Sequence, residues 1–104
     1  MPKTGKIAIA SIQRNRNKYI VEWIAFHLAV GFNQFYIYCH KTDDGMKETL
    51  LELAKRCPIE VFALEMDDFP QLSAYHHAWE RFGSEVDWMA FIDGDEFLFP
   101  TQAR

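Results

Sequence analysis

Trp88-Met89-Ala90-Phe91-Ile92 is an unbroken apolar run that leads directly into Asp93-Gly94-Asp95-Glu96 near the end of the chain. A short apolar run that ends in turn residues is typical of a strand buried in a parallel sheet. The pattern therefore predicts a buried strand whose C-terminal end carries acidic side chains.

Three strand and helix pairs precede this run. Apolar residues indicate strands at 6–11, 35–39 and 59–64, and apolar residues at helical spacing indicate helices at 18–30, 46–54 and 72–82. The alternating order with short connections predicts an α/β fold, in which a Rossmann-like and mostly parallel sheet has right-handed crossovers and helices on both faces. In such a fold we expect ligands beyond the carboxyl ends of the strands.

Composition excludes several classes of protein. The chain of 104 residues has the length of one domain, and 49% hydrophobic residues argue against disorder. The net charge of -4 argues against a nucleic-acid partner. The sequence contains neither an apolar run of about 20 residues, as a membrane span needs, nor an export signal. We therefore expect a cytoplasmic protein in which Cys39 and Cys57 are free thiols.

The acidic residues near the C-terminus form the strongest candidate site. Residues 85–99 contain five carboxylates and neither lysine nor arginine. On an extended segment Asp93 and Asp95 point to the same side, and Gly94 between them allows a close approach. Oxygen ligands of this kind suit Mg²⁺ or Mn²⁺ with a phosphate group. The alternative is a solvated turn that ends the strand, but its place at the ligand-binding edge favours Asp93 and Asp95 as metal ligands, with Glu96 beside them.

Other residues at the same predicted edge are weaker candidates. Arg14 and Asn15, in the loop after the first strand, either contact a diphosphate or form a solvated basic loop. Asp43 and Asp44 follow the second strand and either bind a nucleoside or, in the case of Asp44, cap the next helix. His77 lies on the third helix, where it could face the strand ends.

Residues along most of the chain resemble the glycosyl transferase family 2 and family 92 group of GT-A fold enzymes. The resemblance rests on Arg14-Asn15, Glu22-Trp23-Ile24-Ala25-Phe26-His27, Gly31-Phe32, Phe35-Tyr36-Ile37-Tyr38, Asp43-Asp44-Gly45, Ala74-Tyr75-His76-His77-Ala78 and the run from Trp88 to Leu98. It implies the N-terminal, donor-binding half of a GT-A glycosyltransferase, in which Asp93 and Asp95 hold Mn²⁺ or Mg²⁺ against the diphosphate of a nucleotide sugar. The acceptor would be a sugar, a lipid or a protein.

Two features depart from the resemblance. Arg16 stands where the group usually has glutamate, and GT-A domains are roughly twice as long as this chain. We therefore expect residues 1–104 to be a truncated domain that is inactive alone, with the catalytic base beyond Arg104. In such a piece, strand 88–92 and residues 97–99 would form an exposed edge through which copies of the chain self-associate.

Two other functions stay open. One is a nucleotide-binding module without catalysis. The other is a Mg²⁺-dependent phosphohydrolase of the haloacid dehalogenase type, which also carries a DxD motif after a strand. That type places the motif on its first strand and follows it with Gly-Thr, whereas here three strand and helix pairs come first and Glu96 follows.

Overall fold

Four parallel strands form the centre of the molecule. The computed structural model describes residues 4–98. The strands are β1 (Ile7–Gln13), β2 (Gln34–His40), β3 (Ile59–Leu64) and β4 (Trp88–Phe91). Their order in the sheet is β3-β2-β1-β4, and all three neighbouring pairs are parallel. The predicted α/β fold with a parallel sheet is therefore confirmed.

Helices cover both faces of this sheet. They are α1 (Asn17–Ala29), α2 (Met46–Leu53) and α3 (Pro70–Phe82), and a short 3₁₀ turn follows at Gly83–Glu85. The core residues of α1 and α2 lie in one apolar cluster and those of α3 in a second. This division is what right-handed crossovers require, because the chain moves from β1 to β3 in one direction and then returns past β1 to reach β4.

The two faces of the sheet pack differently. On the α1 side, large side chains such as Trp23, Ile37 and Leu50 are fully buried. On the α3 side, alanines of β1 meet Ala74 and Ala78 of the helix, and the rings of Tyr36 and Phe82 stack at 4.2 Å between centroids. Small residues at a contact let the backbones approach closely, so α3 lies tightly against β1.

The prediction of a buried fourth strand is wrong. Within residues 4–98, strand β4 pairs with β1 alone, ends at Phe91 and leaves Trp88 72% exposed. An apolar run does not distinguish an edge strand from a central one, because the difference lies in how many neighbours the strand has. The exposed edge expected for a truncated sheet is present in the part of the chain that the structure describes, while self-association through it stays a prediction.

The first strand also differs from the prediction, because β1 extends two residues further, to Gln13, whose side chain is 4% exposed. Every helix within residues 4–98 is too short or too polar to cross a membrane.

Candidate functional site

Three polar segments meet at the carboxyl edge of the sheet, as predicted. The strand order reverses between β1 and β4, which is the point at which open α/β sheets bind ligands. The loop after β1 contacts both neighbouring loops. Asn15 Oδ1 accepts the N–H of Asp43 at 2.8 Å, and Arg16 Nη2 donates to the carbonyl oxygen of Gly94 at 3.1 Å. The loop after β1 therefore connects the segment after β2 to the segment after β4.

Within this loop the two arginines differ in availability. Arg14 is exposed, and its side chain makes no hydrogen bond or ion pair with residues 4–98. Arg16 is half-buried, and its guanidinium carbon lies 4.9 Å from the centre of the Tyr19 ring. Asn15 adopts a left-handed backbone with φ of 52°, which asparagine tolerates better than most residues. Arg14 is thus the cation of this loop that is free to meet a ligand.

The two aspartates after β2 also differ. The carboxylate of Asp44 accepts the N–H of Met46 at 3.0 Å and the N–H of Asn17 at 2.9 Å, so it caps the first turns of α2 and α1 together. Asp43 donates its own N–H to Asn15, while its side chain is exposed. The predicted contact of Asp44 with the start of the next helix is therefore present, although Gly45 is the N-cap residue of α2, and Asp43 is the acid of this pair that is open to a ligand.

The residues after β4 form an acidic segment, residues 93–98. Its two aspartates are exposed, and Asp95 makes no side-chain hydrogen bond or ion pair with residues 4–98. The Nε2 atom of Gln71 makes a long hydrogen bond of 3.5 Å to Oδ1 of Asp93. Glu96 folds back so that its Oε1 accepts the N–H of Asp93 at 2.8 Å. The third carboxylate is therefore occupied within the turn, and the other two face solvent.

Gln13 lies directly beneath Gly94. A Cβ atom at Gly94 would lie 2.5 Å from Gln13 Oε1, a separation that side chains do not adopt. The Nε2 atom of Gln13 donates to Ser11 Oγ at 3.1 Å, whereas the buried Oε1 atom has no hydrogen-bond partner in the described chain. Sequence reasoning missed this contact because it placed Gln13 in the loop, and the extra length of β1 is what brings the amide under the acidic segment.

Helix α1 supplies two further contacts to the acidic segment. Trp23 Nε1 donates to the carbonyl oxygen of Glu96 at 2.8 Å, and His27 Nε2 accepts the N–H of Leu98 at 3.0 Å. His27 Nδ1 donates to the carbonyl oxygen of Trp23 at 2.9 Å, which fixes the neutral tautomer. Burial lowers the pKa of His27. His27 is therefore a buried histidine with both ring nitrogens hydrogen-bonded, and its partner in the acidic segment was not predicted.

His77 has a partner away from the acidic segment. Its Nδ1 atom lies 2.6 Å from the hydroxyl of Tyr38 on β2, and its ring packs edge-on against Phe62. Burial raises the pKa of the Tyr38 hydroxyl, so this hydroxyl stays protonated and shares a hydrogen bond with the imidazole. Because Tyr38 occupies this ring nitrogen, the structure adds no support to the predicted contact of His77 with a nucleotide.

The acidic segment suits a metal ion that is coordinated partly by a bound phosphate group better than one that is coordinated by protein side chains alone. Within residues 4–98, no group of three or more His, Cys, Asp or Glu side chains is arranged to hold a metal. Asp93 and Asp95 supply two carboxylates, and Mg²⁺ is commonly bound through one or two carboxylates together with phosphate oxygens and water. The residues present therefore fit an ion that a phosphate ligand would help to coordinate.

The parallel sheet and the helices on its two faces define a Rossmann-like α/β protein. The sequence profile of glycosyltransferase family 92 matches residues 7–104, and the chain belongs to that family. This confirms the family 92 part of the resemblance.

Curated relatives support the same assignment. The chain is 29% identical over 100 residues to a glycosyltransferase family 92 protein of Oryza sativa subsp. japonica, covering 94% of this chain and 17% of the relative. It is 29% identical over 94 residues to a family 92 protein of Ricinus communis, covering 86% and 16%, and 28% identical over 101 residues to one of Arabidopsis thaliana, covering 92% and 17%. The chain thus spans about a sixth of the length of these relatives. No solved structure matches it significantly.

Proposed function

We propose that this chain is the donor-binding part of a GT-A type glycosyltransferase and binds a nucleotide-diphosphate sugar together with Mn²⁺ or Mg²⁺. The observation that carries the proposal is the pair of exposed carboxylates, Asp93 and Asp95, at the point where the strand order reverses. Neither forms an ion pair within residues 4–98. Membership in glycosyltransferase family 92 supports a sugar donor as the ligand.

Each open side chain at this edge has a role in the proposed site. Asp93 and Asp95 would hold the cation, Arg14 would meet the diphosphate, and Asp43 would accept hydrogen bonds from the ribose or base. When bound, the cation supplies positive charge that stabilises the departing diphosphate. Without that charge, the carboxylates of the acidic segment would repel the phosphate groups.

Sugar transfer also needs an acceptor hydroxyl and a base that removes its proton. An acceptor hydroxyl becomes a better nucleophile when a positioned base removes its proton. We place that base and the acceptor site outside residues 1–104, because the chain spans about a sixth of its relatives and all the open side chains just described are suited to the donor. The acceptor would be a sugar, a lipid or a protein.

Calorimetry tests the donor site directly. UDP and GDP are titrated into the chain with excess Mn²⁺ and, separately, with excess chelator. We expect binding only in the presence of the metal, and the Glu22→Gln variant, which removes an exposed acid on α1, should bind as the unsubstituted chain does. Equal binding in the chelator would contradict the metal bridge, and no binding by this chain or by a version extended past Arg104 would contradict the donor site.

Sugar transfer is tested by comparing this chain with the extended version. We expect hydrolysis or transfer of the donor sugar in the extended protein alone. Nucleotide binding without transfer in both proteins would favour a binding module that lacks catalysis.

A further inference from the structure

The acidic segment leaves the sheet without a backbone ladder to hold it. The last backbone bond to the sheet runs from the N–H of Ile92 to the carbonyl oxygen of Ala10 at 3.3 Å. Beyond it, the described backbone bond of this segment is internal, from the N–H of Glu96 to the carbonyl oxygen of Asp93. The path of residues 93–98 therefore depends on side chains that reach the segment from other elements.

Three of these side chains, one from the loop residue that precedes α1 and two from α1 itself, contact every second residue from Gly94 to Leu98. Arg16 Nη2 donates to Gly94 O at 3.1 Å. Trp23 Nε1 donates to Glu96 O at 2.8 Å. His27 Nε2 accepts from the N–H of Leu98 at 3.0 Å. All three bonds go to backbone atoms, so they fix the course of the chain and leave the carboxylates of Asp93 and Asp95 available.

The spacing of Trp23 and His27 matches the spacing of their targets, Glu96 and Leu98. Trp23 and His27 are four residues apart and so lie on one side of α1, while Arg16 directly precedes the helix. Trp23 and His27 differ by about 6 Å along the helix axis at 1.5 Å per residue. An extended chain advances about 6.6 Å over two residues. Glu96 and Leu98 can therefore meet Trp23 and His27 while the segment runs beside α1 in the same direction.

Two of the three anchoring side chains, Trp23 and His27, are closely packed in the core. The side chains of Trp23 and His27 are both fully buried, and their rings lie 4.7 Å apart between centroids. Nδ1 of His27 is bonded to the carbonyl oxygen of Trp23, and the imidazole stacks on the ring of Phe97 with an interplanar angle of 9°. Groups whose own conformations are fixed by packing hold a ligand site more accurately than mobile ones.

We infer that Arg16, Trp23 and His27 are positioning residues, which fix the backbone that carries Asp93 and Asp95 for the cation and diphosphate. The inference rests on the proposed function for the identity of the ligand. Two carboxylates two residues apart repel each other, and an unheld turn would relieve that repulsion by spreading. Anchors at Gly94, Glu96 and Leu98 oppose this spreading before any cation arrives.

Matched variants remove each anchor while keeping the bulk of the side chain. Trp23→Phe removes the indole N–H, Arg16→Met removes the donors and His27→Leu removes the acceptor. Arg16→Lys and His27→Gln serve as rescue variants, because each restores one group able to make the bond. Val21→Ala, on the exposed side of α1, is the control.

Two measurements are made on each variant. The first is amide hydrogen exchange of residues 93–98, compared with the amides of β2. The second is the affinity for UDP or GDP with Mn²⁺ at pH 7.5. We expect each anchor-removing variant to exchange about five- to tenfold faster in the acidic segment alone and to lose about five- to tenfold in affinity, as the loss of one hydrogen bond would give. The rescue variants should recover most of both effects.

The outcomes separate this inference from the proposed function. Unchanged exchange in all three anchor-removing variants would overturn the inference, whatever their affinity. Faster exchange in the segment with unchanged affinity would show that the bonds are merely structural and would also overturn it. Failure of the unsubstituted chain and of the extended protein to bind nucleotide would instead contradict the proposed function, while the exchange data would still decide whether α1 holds the segment.

Discussion

The molecule contains two turns of nearly the same composition, and they use their aspartates in opposite ways. The turn after β2 is Asp43-Asp44-Gly45, and the turn after β4 is Asp93-Gly94-Asp95. In the first, both carboxylate oxygens of Asp44 accept backbone N–H groups and so hold two helices together. In the second, the carboxylates face solvent, and the backbone is held by side chains from elsewhere.

The difference shows what distinguishes a structural aspartate from one that can bind a ligand. Residue type and position after a strand are the same in both turns. The distinguishing property is whether the carboxylate oxygens are already occupied by donors of the protein. The glycines differ for a related reason, because Gly45 provides a left-handed backbone with φ of 92°, whereas Gly94 leaves room for Gln13 beneath it.

Replacing the structural aspartate should give the largest effect on stability. Asp44→Ala removes the acceptor of two helix N–H groups, and we expect the free energy of unfolding to fall by about 2 to 3 kcal/mol. Urea denaturation followed by circular dichroism measures the change. Asp43→Ala is the matched control, with an expected change below about 0.5 kcal/mol, because its carboxylate accepts no hydrogen bond within residues 4–98. If both substitutions lowered the free energy of unfolding equally, Asp44 would not be the structural aspartate of this turn.

The next largest effect concerns the two glycines. Gly94→Ala places a methyl group 2.5 Å from Gln13 Oε1, and we expect a loss of about 1 to 2 kcal/mol in the free energy of unfolding. The same substitution in a Gln13→Ala background should cost much less, because the obstructing amide is gone. Gly45→Ala should be costly in both backgrounds, since its strain arises from the backbone. A Gly94→Ala effect that does not depend on residue 13 would contradict the steric explanation.

The third prediction tests the ligand-binding turn. Asp95→Asn should weaken metal-dependent nucleotide binding at least tenfold, which is about 1.4 kcal/mol, while the free energy of unfolding stays the same or rises slightly. Stability is unaffected or improved because the change removes repulsion from a group that makes no ion pair within residues 4–98. Calorimetry and thermal denaturation provide the two readings. A marked loss of stability with full binding would identify Asp95 as a second structural aspartate.

The sequence predicted the architecture well, because that architecture depends on local patterns. Four apolar runs and three helical stripes, taken in order, were sufficient for a parallel sheet with helices on both faces. The apolar composition of β4 did not indicate its exposure, since an edge strand and a central strand of this length have the same composition, and the exposed edge was expected only from the length of the chain beside the GT-A resemblance. The end of β1 was misplaced for a similar reason, because Gln13 is polar although the fold buries it.

The candidate site was predictable in part. The rule that ligands bind beyond the carboxyl ends of strands correctly brought together the loops after β1, β2 and β4. The sequence left the role of Asp44 open, because the outcome depends on whether the N–H of Asn17 comes within reach. The bonds from Trp23 and His27 to the acidic segment join residues more than 70 positions apart, and no local pattern indicates them.

The last prediction uses pH to separate the two turns, because an imidazole helps to hold the acidic segment, whereas carboxylate and amide oxygens hold the turn at Asp44. Burial lowers the pKa of His27 from 6.5, so the unfolded chain takes up a proton that the folded chain resists. The stabilising contribution of neutral His27 is therefore complete above the unfolded pKa and is lost as pH falls through it toward the folded pKa. For one such group, the free energy of unfolding falls by up to about 0.7 kcal/mol between pH 7 and pH 6.

Denaturation at pH 7 and pH 6 should show this loss in the unsubstituted chain and in Asp44→Ala, and a smaller loss in His27→Gln. Hydrogen exchange should place the effect locally, because acid favours opened states in which His27 takes up a proton, and the protonated ring cannot accept the N–H of Leu98. We expect this amide to exchange faster relative to the amides of β2 at the lower pH, after correction for the intrinsic dependence of exchange on pH. If the free energy of unfolding of His27→Gln fell as much between pH 7 and pH 6 as that of the unsubstituted chain, another group would be titrating. The acidic segment and the Asp44 turn would then respond to acid in the same way and would differ only in the availability of their carboxylates.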